Sequence, residues 1–250
     1  MIAADILAKS APDGYTIGVV SSSFSSNPAL YPKISYDTLK DFSPISVLAQ
    51  LPFIATVHPS VPVSSIKDLI DYIKARPGRI FYASSGTGGP SHFSAEIFKL
   101  MTGVNMAHVP YKGASPAIAD LIAGHVQVMF ADALIAGPHI KSGKLKALGV
   151  TSIKRVDAWP DLPTISEGGI PGYESSAWFG ILAPAGTPHE IVRKIHGEIV
   201  RILQNQDFRE RIIGSGAIPL GNTPEQFTEQ IRAEVAKWIK VAKEANIKLE

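Results

Sequence analysis

Residues 80–92 read Ile-Phe-Tyr-Ala-Ser-Ser-Gly-Thr-Gly-Gly-Pro-Ser-His and join an apolar run to a glycine-rich turn and a helix start. The apolar run 80–83 predicts a short strand, and a helix is predicted from about Ser91 to Met101. Glycines let the backbone turn tightly and approach a ligand closely. Free N–H groups at a helix start, where the helix dipole is positive, attract an anion. The stretch therefore predicts an anion site, with a plain turn of small residues as the alternative.

The composition of this loop narrows the type of anion. Ser85, Thr87 and Ser91 add hydroxyl donors to the backbone amides. No lysine follows in the manner of a phosphate loop, which argues against a nucleoside triphosphate. The glycine spacing also differs from the dinucleotide fingerprint. A carboxylate is the better expectation, and no cofactor is predicted.

On both sides of this stretch, apolar runs alternate with helical patterns joined by short loops. This alternation predicts an α/β fold with a largely parallel sheet. Further strands are predicted at 15–20 (buried on both faces), 53–57, 107–109, 126–130, 147–150 and 178–182, and further helices at 64–75, 116–123 and 135–141. Two capping boxes, Thr187-Pro188-His189-Glu190 and Thr223-Pro224-Glu225-Gln226, predict the starts of the last long helices.

Several other residues are candidates for a site, each with a structural alternative. The serine-rich stretch 21–26 is expected to be a loop at the carboxyl end of a strand, where ligands bind in open α/β sheets, and its alternative is a solvated serine loop without a ligand. Asp132 is either a ligand contact or a helix N-cap. Trp178 and Phe179 are either an apolar wall for the ligand or, the favoured reading, core packing.

Catalytic and metal-binding readings rest on two short motifs. His92 and Glu96 lie four residues apart, which is half of a metal site, but no third ligand has suitable spacing, so a packed or solvated pair is favoured. In Tyr111-Lys112-Gly113, the lysine is either a base or part of a turn. No G-x-S-x-G elbow for a serine nucleophile is present.

The bulk composition excludes several functional classes. The chain has 250 residues, 24 basic and 22 acidic side chains and no cysteine. The small net charge of +2 argues against a nucleic-acid surface, and the lack of cysteine excludes thiol catalysis and thiolate metal sites. No apolar run reaches the roughly 18 to 20 residues that span a bilayer. The first residues lack a basic segment followed by an apolar one, so no secretory signal is predicted in this chain.

Together, these stretches resemble one known family, the extracytoplasmic solute receptors of the tripartite tricarboxylate transporter group (Bug or TctC-like proteins). The match follows the chain in order over nearly its whole length. The stretches that carry it are 11–16 (Ala-Pro-Asp-Gly-Tyr-Thr), 27–31 (Asn-Pro-Ala-Leu-Tyr), 36–37 with 41–44, 85–92, 108–113 (His-Val-Pro-Tyr-Lys-Gly), 116–124, 129–132 (Met-Phe-Ala-Asp), 163–164, 172–174 and 178–188.

The resemblance implies a two-lobed periplasmic-binding-protein-like (type II) fold with two crossover strands, 53–57 and 179–183. Lobe 1 is expected at 1–52 with 184–250, and lobe 2 at 53–183. Family members begin with an export signal, a strand, a glycine-rich ligand loop, a helix and a second strand. This chain starts after most of that, so the expectation is an N-terminally truncated member whose lobe 1 lacks its usual N-terminal strands.

The resemblance also implies a function: capture of a small carboxylate in the interlobe cleft, in the periplasm, and delivery to a two-component membrane permease. Family ligands are dicarboxylates, acidic amino acids and some aromatic acids. Carried over by position, the ligand contacts are Ser22, Ser23, Phe24, Ser85, Gly86, Thr87, Gly88, Ser91 and Asp132, with Trp178 and Phe179 as the apolar wall. Two alternatives stay open: a small-acid isomerase or lyase that uses Lys112 or Asp132 as base, and a ligand-free interaction module.

Overall fold

The structure, a computed structural model, describes residues 1–247. It consists of nine helices and eight strands within these residues. In chain order they are α1 (Ile2–Ala8), β1 (Gly18–Ser21), α2 (Ser23–Leu30), β2 (Phe42–Val57), α3 (Ile66–Lys74), β3 (Phe81–Ser84), α4 (Pro90–Thr102), β4 (Ala107–Pro110), α5 (Ala114–Ile122), β5 (Val128–Asp132), α6 (Ala133–Lys141), β6 (Lys146–Val150), β7 (Ser176–Pro184), α7 (His189–Gln204), α8 (Gln206–Gly214), β8 (Ile218–Pro219) and α9 (Pro224–Glu244).

The chain forms two compact units. Unit 1 consists of residues 1–50 and 177–250, and unit 2 of residues 51–176. The chain passes from unit 1 to unit 2 within β2 and returns at the beginning of β7. Both units combine strands with helices, which confirms the predicted α/β class. Within residues 1–247, no helix combines the length and the apolar character needed to cross a membrane.

In unit 1, helices α2 and α9 pack beside a sheet in which β7 lies between β1 and β2. β1 pairs with β7 antiparallel, and the short β8 pairs with β2. The core contains a cluster of aromatic rings: Phe24 stacks on Tyr36 at 5.9 Å between ring centroids, and both rings meet Phe42 edge-on. Trp178 meets Phe227 edge-on at 5.2 Å. Such edge-to-face and offset pairs add to the apolar area that the rings bury.

In unit 2, the strand order is β6, β2, β5, β3, β4. β3 is parallel to β4 and β5, but β2 is antiparallel to both of its neighbours. The prediction of a largely parallel sheet was therefore wrong for β2. Parallel neighbours need a crossover connection such as a helix, and α4 provides one between β3 and β4. β2 enters directly from unit 1, so no such connection sets its direction.

Two predictions near the N-terminus were also wrong. The strand begins at Gly18 rather than at residue 15, and it is not buried on both faces, because Tyr15 and Val19 are 94% and 63% exposed. The expected serine loop is instead the helix α2. Two of its serine hydroxyls have partners: Ser25 Oγ lies 2.9 Å from the Ser22 carbonyl and 2.6 Å from Glu234 Oε2, and Ser26 Oγ donates to the Ser23 carbonyl. These partners let Ser25 and Ser26 be buried.

Candidate functional site

Residues 84–90, which run from the last residue of β3 to the first residue of α4, form the glycine loop. Gly86 and Gly88 have φ angles of 146° and 74°, which L side chains rarely adopt. The Gly89 amide donates to the Gly86 carbonyl at 3.2 Å and closes the turn. Glycine is therefore required at both positions by the backbone itself. The loop delivers the chain to the N-terminus of α4, a helix of 13 residues.

Several amides of the glycine loop are used inside the protein. Ser85 N–H donates to Ser91 Oγ at 3.1 Å, and Gly86 N–H donates to Ser84 Oγ at 3.3 Å. Gly88 N–H donates to His92 Nδ1 at 2.9 Å. For the amides of Thr87, Ser91 and His92, we find no acceptor among residues 1–247. One of these amides lies in the glycine loop and two lie in the first turn of α4, and all three are donors that the described residues leave unused.

The hydroxyls of the loop have different roles. Ser85 Oγ and Ser91 Oγ lie 3.0 Å apart and hydrogen-bond to each other, and Ser91 is buried. These two expected ligand donors therefore brace the loop. Thr87 is only partly buried, and its hydroxyl has no partner among the described residues. Of the three predicted hydroxyls, that of Thr87 is therefore the one left unused within residues 1–247.

Beneath the glycine loop lie three stacked rings, Tyr82, His92 and His108, called the histidine stack. The two imidazoles are parallel with centroids 3.9 Å apart, and His108 stacks on Tyr82 at 4.8 Å. Tyr82 and His108 are register partners in the parallel β3–β4 pair, so the strands bring these two rings together. The stack also holds the loop, because Ser84 Oγ and His108 Nε2 are 2.7 Å apart. The strand pairing that joins these rings is not visible in the sequence alone.

Glu96 ends the stack with a buried negative charge. Burial opposes ionisation of Glu96, but His92, Lys99 and Tyr82 around its carboxylate bring its pKa down to about 2. Tyr82 donates its hydroxyl to Glu96 Oε1, and Lys99 Nζ lies 2.7 Å from the same oxygen. His92 Nε2 lies 3.7 Å from it. Of the packed and solvated readings that the sequence left open for this pair, the structure shows the packed one, because His92 and Glu96 are both buried. Within residues 1–247, no three His, Cys, Asp or Glu side chains lie together so that they could hold a metal ion.

We expect the stability of the fold to fall between about pH 6.5 and pH 4 because of His108. Burial, aided by the neighbouring His92, lowers the pKa of His108 to about 4. An unfolded histidine binds a proton near pH 6.5, so in this window the unfolded state binds a proton that the folded state does not, and stability decreases as the pH falls. The Tm, measured by thermal unfolding at constant ionic strength, should fall less steeply with decreasing pH in His108→Gln than in the wild type. If the Tm of both proteins falls equally between pH 6.5 and pH 4, His108 is not the group responsible.

The segment after β4 lies alongside the glycine loop. Tyr111 N–H donates to the Ser84 carbonyl at 3.0 Å, and Gly113 N–H donates to the Ser85 carbonyl at 3.1 Å. The Tyr111 hydroxyl donates to Asp120 at 2.7 Å, and Lys112 is exposed. Asp132 caps α6, since its Oδ1 accepts from the Leu134 amide at 2.8 Å. The turn and N-cap readings of these two motifs are therefore the ones that the structure supports.

The remaining candidate ligand contacts lie in unit 1, and they differ in burial. Phe24 and Trp178 are 3% and 1% exposed and belong to the core, which is the packing role that the sequence favoured for Trp178. Phe179, its neighbour in β7, is 44% exposed. Ser22 is buried and its hydroxyl has no hydrogen-bond partner among residues 1–247. Ser23 borders a small cavity of about 170 Å³ within unit 1.

Comparison with known proteins places this architecture in a family. The profile of the family described as "Tripartite tricarboxylate transporter family receptor" (TctC) matches residues 1–247. Protein BugT of Bordetella pertussis is 35% identical over 252 residues, which cover 100% of this chain and 77% of BugT. The structure of R. palustris Rpa4515 with adipate is 39% identical, with a TM-score of 0.84 over 99% of this chain and 84% of that one.

A second structure, MatC (Rpa3494) from Rhodopseudomonas palustris with bound malate, is 31% identical, with a TM-score of 0.77 over 96% of this chain and 83% of that one. The similarity therefore runs through both units rather than through one motif. This chain belongs to the TctC family of solute-binding receptors, the Bug-like proteins.

Proposed function

We propose that this chain is a receptor that binds a small dicarboxylate and delivers it to a two-component membrane permease. The observation that carries the proposal is a set of three amides without an acceptor among residues 1–247, that of Thr87 in the glycine loop and those of Ser91 and His92 in the first turn of α4. The Thr87 hydroxyl lies beside its own amide and also has no partner among these residues. Amide dipoles and a helix N-terminus bind a carboxylate without a neutralising lysine or arginine. One carboxylate of the ligand sits there.

The same geometry favours binding without a chemical step. The Asp132 carboxylate is used as the N-cap of α6, and Lys112 is exposed on a turn. A general base has to be within hydrogen-bond reach of the proton that it removes. Neither residue is paired with a nucleophile or with the second candidate base. We therefore propose a receptor and no reaction.

The proposed ligand class has two lines of support. Adipate and malate, the acids named with the two solved relatives, both carry two carboxylates. The glycine loop offers hydroxyl and amide donors that suit a carboxylate. Acidic amino acids and aromatic acids are the other ligand classes that the family resemblance implies. Glutamate and benzoate represent these two classes in the experiment below. We further propose a periplasmic location, because a receptor of a membrane transporter meets its solute on the side from which the solute is taken up.

The test is a thermal-shift series with adipate, malate, glutamate and benzoate, and with adipamide as the uncharged control. A ligand at 100 times its Kd stabilises the folded state by about 2.7 kcal/mol, which raises the Tm of a chain of this size by about 5 °C or more. We expect this rise with at least one of the two dicarboxylates and no rise with adipamide. The proposal would be refuted by a rise with adipamide as large as that with adipate, or by no rise with either adipate or malate.

A further inference from the structure

The most constrained part of the candidate site is the contact between the glycine loop and the histidine stack. His92 and Ser84 are 4% and 0% exposed, so both anchors lie inside unit 2. His92 Nδ1 accepts the Gly88 amide at 2.9 Å, and His108 Nε2 lies 2.7 Å from Ser84 Oγ. Ser84 Oγ in turn contacts both the amide and the carbonyl of Gly86. Each half of the loop is thus tied to one of two imidazoles that stack at 3.9 Å.

The hydrogen bond from Gly88 defines the state of His92. A ring nitrogen that accepts an N–H bond carries no proton, so the neutral ring has its proton on Nε2. Nε2 faces the Glu96 carboxylate at 3.7 Å, and Glu96 is held in turn by Tyr82 and Lys99. This chain of contacts fixes the orientation of the imidazole in the same way that a carboxylate orients a metal-bound histidine.

We propose that His92 is a positioning residue for ligand binding: its Nδ1 holds the Gly88 amide and thereby aims the neighbouring amides of Thr87, Ser91 and His92 at the ligand. This inference rests on the proposed function and deepens it. It removes the Gly88 amide and the Ser91 hydroxyl from the set of ligand contacts and assigns them to the support of the loop. Small displacements of such donors are costly, because binding depends on preorganised geometry.

Two variants of His92 separate positioning from packing. In asparagine, the side-chain oxygen lies three bonds from Cα, as Nδ1 does in histidine. In glutamine, the amide nitrogen lies four bonds from Cα, as Nε2 does. His92→Asn therefore keeps an acceptor for Gly88 N–H and loses the contact with Glu96, whereas His92→Gln does the reverse. Both variants lose the ring and its stacking on His108, so both should lower the Tm by similar amounts.

We expect His92→Gln to weaken binding of the dicarboxylate found in the thermal-shift series at least tenfold, measured by calorimetric titration. His92→Asn should restore the affinity to within about threefold of the wild type. Hydrogen exchange of the Gly88 amide, measured without ligand, should be faster in His92→Gln and close to wild type in His92→Asn. His189 is an exposed histidine of unit 1. His189→Gln is the control for replacing a histidine by glutamine as such, and it should leave the affinity at the wild-type level.

Equal affinities of the wild type and His92→Gln would overturn the inference and leave the proposed function intact. Equal losses in both His92 variants would also overturn it, because they would assign the effect to ring packing alone. If the wild type binds none of the acids, the proposed function fails. Exchange of the Gly88 amide then still decides whether His92 holds the loop.

Discussion

Replacing Trp178 by alanine should lower the free energy of unfolding of unit 1 by about 3–5 kcal/mol, the cost of removing a large buried aromatic side chain. Trp178 is 1% exposed and packs edge-on against Phe227. Its Nε1–H also lies 2.9 Å from both carboxylate oxygens of Glu234. The substitution therefore leaves a cavity and deprives a partly buried carboxylate of a donor. Urea unfolding followed by far-ultraviolet circular dichroism measures the change.

Phe179 is the matched control, because it is the next residue of the same strand and faces the other way. It is 44% exposed, so Phe179→Ala should cost about 1 kcal/mol or less, mainly through β propensity. Both residues were candidates for an apolar wall around a ligand. Comparable losses of stability in the two variants, or no loss in Trp178→Ala, would show that Trp178 is not the core residue described here.

The strands with a regular apolar pattern were predicted well, and β2 shows where the pattern fails. Residues 53–57 were predicted as a strand, and they are its last part, but the strand begins at Phe42. Pro44 and Pro52 lie inside β2, and proline removes a ladder donor, so such a stretch does not look like a strand in sequence. Its neighbours in unit 1, β7 and β8, begin 119 and 161 residues after the end of β2 at Val57 (176 − 57 and 218 − 57). Pairing over that distance leaves no local signal.

The two predicted capping boxes show how far a local motif can be trusted. Thr223 forms the complete box with Gln226 at the start of α9, so this prediction is confirmed. At α7 the same motif was wrong: Thr187 Oγ1 donates to the Pro184 carbonyl at 2.8 Å, and the N-cap is Pro188, without a side-chain cap. A nearby carbonyl competes for the hydroxyl, and the preceding turn decides which partner is used.

The glycine loop was predictable because its chemistry is local, whereas its support was not. Glycines, hydroxyls and a helix start within nine residues were enough to indicate an anion site. The histidine stack needs the β3–β4 register that sets Tyr82 beside His108. From the sequence, His92 and Glu96 were a pair on one helix face and His108 was an isolated histidine. The loop amides that are used internally became visible only with these partners in place.

The largest effect on ligand affinity is expected from Thr87→Asp. The substitution puts a negative charge beside the three free amides, where the proposed carboxylate binds. Two like charges about 5 Å apart repel each other by about 3 kcal/mol at an effective dielectric constant near 20, which is a loss of about two orders of magnitude in affinity. Titration calorimetry with the dicarboxylate found in the thermal-shift series measures it. Raising the ionic strength should recover part of the loss.

Two control variants separate the effect of the negative charge at residue 87 from the effects of losing the threonine side chain and of adding a charge elsewhere. Thr87→Asn has nearly the same shape as Thr87→Asp without the charge, so it should lose less than about tenfold in affinity, through the hydroxyl alone. Thr223→Asp adds the same charge at the N-cap of α9 in unit 1, where aspartate is a good cap, and should leave affinity at the wild-type level. Equal affinities of Thr87→Asp and Thr87→Asn would mean that the carboxylate does not sit at the first turn of α4. The three free amides would then be hydrated, and the family's ligand would have to be sought elsewhere in this chain.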